Sequence, residues 1–351
     1  MKIPPLNGES LFFSSTIIFT FLFLCPIIAL FIMSANTNDS IWQHLLDTVL
    51  FKYINNTLFL MIGVMLLSLF ISVIPAWIVS NFSFRFSKFF DWILVLPIAC
   101  PAYLIAYAYT DFLEYAGPVQ KFIRFSLGYN SPEDYFFPEI RSLWGAIFVM
   151  SFVLYPYIYL ISKLSFLSTP ISLYELAAIH GKSKFFQVAL PMSRPAIVAG
   201  LSLVLMETIS DFGTVEFFAV ETLTLGIFNL WLGMNNLAAA SQVALVSFTF
   251  IIVLLSVELI ARKRQRFYDS EIKNLKSFKL NLNFLQSIPV ILFCLIPVFF
   301  GFLLPVIILI EQGASESNNS DLFVLINIGT NTLLIAGVSA LIIVIISTIL
   351  A

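Results

Sequence analysis

Eight stretches of this sequence each hold about twenty residues with almost no charge among them, and that pattern leaves one solvent for the chain, a lipid bilayer. They run over about 11–33, 56–80, 91–112, 142–162, 195–212, 238–261, 288–310 and 329–351. A hydrocarbon core of ~30 Å takes about 20 residues of α-helix to cross. Backbone N–H and C=O groups find no water there, so each segment must satisfy its own, and a helix does so. The alternation of a barrel strand is absent from all eight. Composition agrees: 60 % of residues are hydrophobic and 11 % charged, whereas soluble domains carry roughly a quarter charged residues. The expected fold class is all-α, a polytopic membrane bundle of about eight transmembrane helices. A net charge of −2 gives nucleic acid no reason to bind.

The first apolar run is long for a signal-peptide core and has no small-residue cleavage site, so it reads as a retained span. Cys25, Cys100 and Cys294 lie inside apolar runs with no CxxC spacing, which argues for small buried residues rather than disulfides or a zinc site. With the N-terminus in the cytoplasm, fourteen of the eighteen Lys and Arg fall on inner segments. That is the bias of the positive-inside rule, and the opposite orientation inverts it. The stretch 262–287 then becomes a basic cytoplasmic linker, either anchored at anionic headgroups or a plain stop-transfer flank.

Asn56-Thr57-Leu58 opens the second span and Asn331-Thr332-Leu333 lies in the eighth. Each follows a proline-bearing span and an outer loop, which suggests an internal duplication. The expected organisation is a first six-span half over 1–261, the linker 262–287, and the first two spans of an incomplete second half over 288–351. A natural eight-span protein is the alternative.

The loop 163–195 is the segment richest in information. Ser172 and Glu175 have the spacing of a capping box, so a short helix should follow and present small Ala177 and Ala178 to a partner. Gly181 can take the left-handed conformation that ends it. A second short helix over 184–190 should stop before Pro191, because the residue before proline avoids the helical region. The plain alternative is an ordinary amphipathic connector.

This loop resembles the EAA loop of the permease subunits of ATP-binding-cassette importers: Glu-Ala-Ala, three residues, Gly, nine residues, Ile-x-Leu-Pro. Glu175, Ala177, Gly181, Leu190 and Pro191 match it, with Ala178 beside them. Leu176 replaces the first alanine and Val188 the isoleucine, and six residues rather than nine separate Gly181 from Val188. Three missing residues make the second helix shorter or rotate it by roughly 60°. Leu96-Pro97 to Tyr103, Leu190-Pro191 to Ile197, Glu207 to Glu216 and Gly226 to Trp231 look like the ferric-iron branch of these permeases. The resemblance implies a MetI-like bundle and alternating access, with an ATP-binding subunit dimer docked on Glu175–Gly181. It further implies a periplasmic or lipid-anchored solute-binding protein and a second permease half or copy. The chain itself is expected to bind no cofactor and to be no enzyme, ATP being used by the partner. Gly181-Lys182-Ser183 ends like a phosphate loop, but the required first glycine position holds Leu176 and no strand precedes it.

Ionisable groups in spans default to functional hypotheses. Glu207 and Asp211 are four apart on the fifth span, with Glu216 and Glu221 following. Hard ferric ion prefers oxygen donors, so Glu207, Asp211 and Glu216 are candidate metal-pathway residues. The alternative is that they are solvated at the interface or cap neighbouring helices. Glu258 and Arg262 have the spacing of a structural ion pair. Tyr103, Tyr107, Tyr109, Tyr155, Tyr157 and Tyr159 read as packing or belt residues before iron ligands. Pro97, Pro101 and Pro156 should kink their spans. His44 and His180 should lie in loops. Sulfate, thiamine and phosphonate remain open as solutes. An ion-coupled secondary transporter and an inactive remnant of a longer gene are the competing classes.

Overall fold

The computed structural model describes residues 8–35, 39–263, 279–316 and 322–350. Its helices in order are α1 (Gly8–Ser34), α2 (Asp39–Thr48), α3 (Leu50–Asn81), α4 (Ser87–Ile93), α5 (Ala102–Leu113), α6 (Pro118–Leu127), α7 (Leu143–Ser168) and α8 (Ile171–Ile179). They continue with α9 (Leu190–Ser210), α10 (Gly213–Phe217), α11 (Leu223–Phe228), α12 (Leu237–Lys263), α13 (Phe284–Val298), α14 (Leu304–Glu316) and α15 (Leu322–Leu350). Among the described residues seven helical runs are long and apolar enough to cross a membrane, or eight if one bent pair counts as a span.

That bent pair corrects the third expected span. The stretch 91–112 is not one straight helix: the runs 87–99 and 102–127 meet at 87°. The cause is in the sequence. A 3₁₀ turn over Leu96–Ala99 carries Pro97, and Pro101 stands in extended backbone as the N-cap of α5. Two prolines four apart remove two amide donors and clash with the preceding turn. Pro156, by contrast, sits inside the unbroken α7.

Two other prolines are accommodated by widening the helix. A π turn over Phe185–Ala189 leads into α9, whose second residue is Pro191, and another over Phe299–Leu303 leads into α14, whose second residue is Pro305. A proline ring collides with the carbonyl four residues back. The wider i→i+5 turn makes room for it without breaking the span. The expected stop before Pro191 is therefore corrected: residues 185–210 form one continuous span.

Residues 38–309 form one compact unit and residues 1–37 with 310–351 another. In the first unit α7 is the axis, packed against α3 and α9. In its most apolar window 78 % of residues are buried, and Tyr155, Tyr159, Met150 and Ile158 are wholly enclosed. Small residues allow the close approach that helices in lipid need. A Cβ added at Gly200 of α9 would stand 2.8 Å from Ile158 Cα of α7. Helix α13 and its π turn pack on α3 and α7, and Tyr109 donates to the Phe300 carbonyl at 2.6 Å. Residues 288–309 belong to the first unit. In the second unit α1 touches α15, and the apolar windows of both are unburied.

Most of the basic stretch 262–287 lies outside the described residues, as does the side chain of Arg262 expected to pair with Glu258. Its end is anchored. Leu280–Asn281 pairs in parallel with Phe82–Ser83, and Lys279 Nζ donates to the Val79 carbonyl at 2.9 Å. Cys25 is exposed, Cys100 half-buried and Cys294 buried, so burial of all three is corrected. An apolar thiol in a lipid-facing helix needs no protein around it. His44 lies on helix α2, not in a loop.

Candidate functional site

The loop after α7 builds a small, rigidly ended helix. Pro170 fixes its own φ near the helical value and serves as N-cap, so α8 begins at Ile171. The expected capping box is therefore absent: Ser172 falls inside the first turn and no side chain caps the helix. The other end matches expectation. Gly181 has φ +64. The Lys182 N–H donates to the Ala177 carbonyl at 2.8 Å and the Gly181 N–H to that of Ala178 at 3.1 Å, the paired bonds of a Schellman termination.

One face of α8 points into the protein and the other outward. Ala177 is buried and Tyr174 half-buried, which corrects the expectation that both alanines are presented. Glu175, Ala178, His180 and Gly181 are exposed. So are the apolar Leu176 and Ile179, the latter at 79 %. Beyond the turn, Val188, Leu190 and Pro191 are half-buried in the start of the fifth span.

A cluster of rings ties this helix to the spans. The Trp77 indole, at the end of α3, lies 5.7 Å from the Tyr174 ring of α8, 5.4 Å from Phe185 and 5.6 Å from Phe166 of α7. The Phe166 and Tyr174 pairs are edge-to-face and the Phe185 pair is tilted; aromatic pairs contribute about 0.5–1.5 kcal/mol each beyond area burial. Ser165 Oγ of α7 donates to Ser193 Oγ of α9 at 3.0 Å, and Lys163 pairs with Asp91 of α4 at 2.6 Å with both side chains partly buried. Sequence reading missed Trp77, because a tryptophan near a span end is also what an interfacial belt provides. It missed Asp91–Lys163 because the two stand far apart in sequence and Lys88, three residues before Asp91 on α4, offers a nearer apparent partner.

The candidate metal-pathway residues sit at the opposite end of α9. Glu207 and Glu216 are exposed. Asp211 is no longer helical, with ψ 120. Its Oδ1 accepts the Thr214 N–H at 2.7 Å and its Oδ2 the Thr214 hydroxyl at 2.9 Å. It stands just before the N-cap Phe212 of α10 and holds Thr214 in that helix's first turn, so the helix face it was expected to share with Glu207 ends at Ser210. Burial pushes its carboxyl up, and the Thr214 and Val215 hydrogen bonds pull it back. Glu221 pairs with Lys52 at 2.7 Å. Among the described residues no group of three or more His, Cys, Asp or Glu converges as a metal site. Tyr155 and Tyr159 are core residues, whereas Tyr103 and Tyr107 are exposed.

Residues 68–267, which carry α8, its ring cluster and these acids, match the family described as binding-protein-dependent transport system inner membrane component. The chain belongs to this family. The permease is 23 % identical over 222 residues to the Fe(3+)-transport system permease protein FbpB 2 of Haemophilus influenzae, a match covering 62 % of this chain and 39 % of that protein. It is 25 % identical over 217 residues to the molybdenum transport system permease protein ModB of the same organism, covering 59 % and 90 %. The permease therefore spans well under half the length of the iron relative. Its fold is similar to a chain of a bacterial alginate ABC transporter crystallised with an alginate pentasaccharide-bound periplasmic protein (TM-score 0.55, 17 % identity, 74 % of this chain and 95 % of that one). A second crystal structure of an ABC transporter that imports alginate gives a TM-score of 0.54 at 19 % identity, over 72 % and 93 %.

Gly181 gives the first test of the permease's loop. Open space surrounds the position, so Gly181→Ala meets no neighbour and its cost is the left-handed backbone alone, about 1–2 kcal/mol. The end of α8 is expected to fray. A cysteine placed at Ala178 should then be labelled faster while the melting temperature of the whole chain hardly changes.

Proposed function

We propose that this permease lies in a bacterial inner membrane with its N-terminus in the cytoplasm, and admits ferric iron by alternating access. A separate pair of ATP-binding subunits drives it. The observation that carries this reading is α8: a helix stopped at both ends, gripped from inside by Trp77, and turned outward with Glu175, Leu176, Ala178 and Ile179. A motor subunit needs such a handle, because a push on a frayed loop would be absorbed before it reached α3 and α7. The absence of a phosphate loop fits a division of labour in which the partner hydrolyses ATP. A periplasmic or lipid-anchored binding protein delivers the solute, and a second permease half or copy completes the pathway.

Iron as the solute rests on the Glu207–Glu216 and Gly226–Trp231 sequences and on the FbpB 2 match. With Asp211 engaged by Thr214, exposed Glu207 and Glu216 are the oxygen donors left to ease a hard cation inward. A molybdenum oxyanion is the second reading, favoured by a ModB match that extends over 90 % of that protein. Reconstitution of the permease with its ATP-binding subunit and binding protein, followed by uptake of radiolabelled ferric iron and molybdate, separates them. ATP-dependent iron uptake, reduced several-fold by Glu207→Gln with ATPase assembly unchanged, is expected. Preference for molybdate would replace the solute. Uptake driven by a proton or sodium gradient without ATP hydrolysis would overturn the importer itself.

A further inference from the structure

The Asn-Thr pair of α3 has a definite task. Asn56 Nδ2 donates to the Glu221 carbonyl at 3.0 Å. The Thr57 hydroxyl accepts the Leu223 N–H at 3.0 Å while donating to Tyr53 O of its own helix at 2.7 Å. Leu223 opens α11, so Thr57 satisfies one of the orphan amides of a helix start. The two side chains together pin the outer loop between α9 and α12 onto α3.

The same pair recurs in α15, in a matching frame. Set against residues 56–76 without gaps, residues 331–351 are identical at eight positions: Asn331, Thr332, Leu333, Leu341, Ile346, Ser347, Ile349 and Ala351. The local bonding repeats as well. Thr332 Oγ1 donates to Ile328 O at 2.9 Å, as Thr57 does to Tyr53. Ser347 Oγ donates three residues back to Val344 O at 3.0 Å, as Ser72 does to Leu69 at 3.2 Å. Yet Thr57 is 2 % exposed, while Asn331 and Thr332 are both exposed in a helix whose apolar window has no buried residue. An amide side chain in a lipid-facing position loses its hydrogen bonds at a cost no neighbouring residue offsets.

We infer that Asn331 and Thr332 form a latch for the outer loop of a second permease half. That loop presents a backbone carbonyl to the Asn331 amide and, two residues later, the free N–H of a helix start to the Thr332 hydroxyl. The inference rests on the permease reading above and names the surface through which the second half is gripped. Lys52 corresponds to Asn327 in the repeat, so the ion pair with Glu221 is not duplicated, and recognition at this latch is made by neutral groups.

A photo-crosslinking residue at position 331 of the full chain, in membranes of the organism the gene comes from, tests this. The bound peptide is identified by mass spectrometry. A peptide at the start of the short helix between the fifth and sixth spans of a permease half is the expected product. Thr332→Val should lower that yield about tenfold, the equivalent of one or two hydrogen bonds, and Thr332→Ser should restore it. Attachment to lipid alone, to a segment elsewhere in a permease half, or to nothing would overturn the latch. Ferric uptake with lipid-only attachment would remove the latch and leave the importer reading intact. The expected peptide without any uptake would do the reverse.

Discussion

Trp77→Ala is expected to disconnect α8 from the spans while the bundle stays assembled. The indole contacts three rings on three other segments, Phe166 at the end of α7, Tyr174 of α8 and Phe185 of the π turn that leads into α9. Truncating a large aromatic costs about 3–5 kcal/mol where the site cannot collapse. Here the lost contacts are at the edge of the bundle, so the cost falls on the part least held by anything else. Beyond the ring cluster, α8 is fastened by the buried Ala177 and by chain connectivity to α7 and α9. Two measurements decide it. Proteolysis or cysteine labelling at Ala178 should accelerate strongly in the variant, and the ATP-binding subunit should still hydrolyse ATP with little solute movement. Trp77→Phe, which keeps an aromatic edge, should recover most of the coupling. Unchanged labelling at Ala178 would mean that the rings are incidental to holding the helix.

The second large effect is expected at Gly200. Its added Cβ would meet Ile158 Cα at 2.8 Å, and Ile158 Cβ and Cγ1 at 3.4 Å. The nearest atom is backbone, so no rotamer change relieves the contact and α7 and α9 must separate. Overpacking of this kind costs about 1–3 kcal/mol for a single methyl, and a leucine adds more volume than a helix shift absorbs. Gly200→Ala should lower the melting temperature by several degrees, and Gly200→Leu should yield no monodisperse protein. Since α9 carries Pro191 at one end and Glu207 near the other, Gly200→Ala should also lower transport more than its loss of stability alone explains. A wild-type melting temperature for Gly200→Leu would show that the two helices are not closely apposed.

What the sequence determined by itself was whatever depends on backbone chemistry alone. The lengths of the apolar runs set the number of crossings, because the bilayer demands about twenty helical residues each. Gly181 announced the end of α8, since a left-handed residue there favours glycine. Pro97 and Pro101 announced a disturbance in the third span, though not its 87° bend. Pro191 misled, because a proline that ends a helix in water can be carried through in a membrane by a wider turn. Sidedness was decided by the tertiary structure. Lipid is as apolar as a protein interior, so a residue facing lipid and one facing α7 are drawn from the same set, and a span's pattern does not mark its buried face. That is why Trp77 passed as a belt residue. Ala177 and Ala178 of α8, outside the spans, could not be told apart for a different reason: the sequence ISLYELAAI is apolar around most of the helix, so its pattern marks no buried face, although one alanine is buried and the other exposed. Asp211 read as a rung beside Glu207 because helical spacing was carried one residue too far: the chain leaves the helix after Ser210, and Thr214 then holds both carboxylate oxygens.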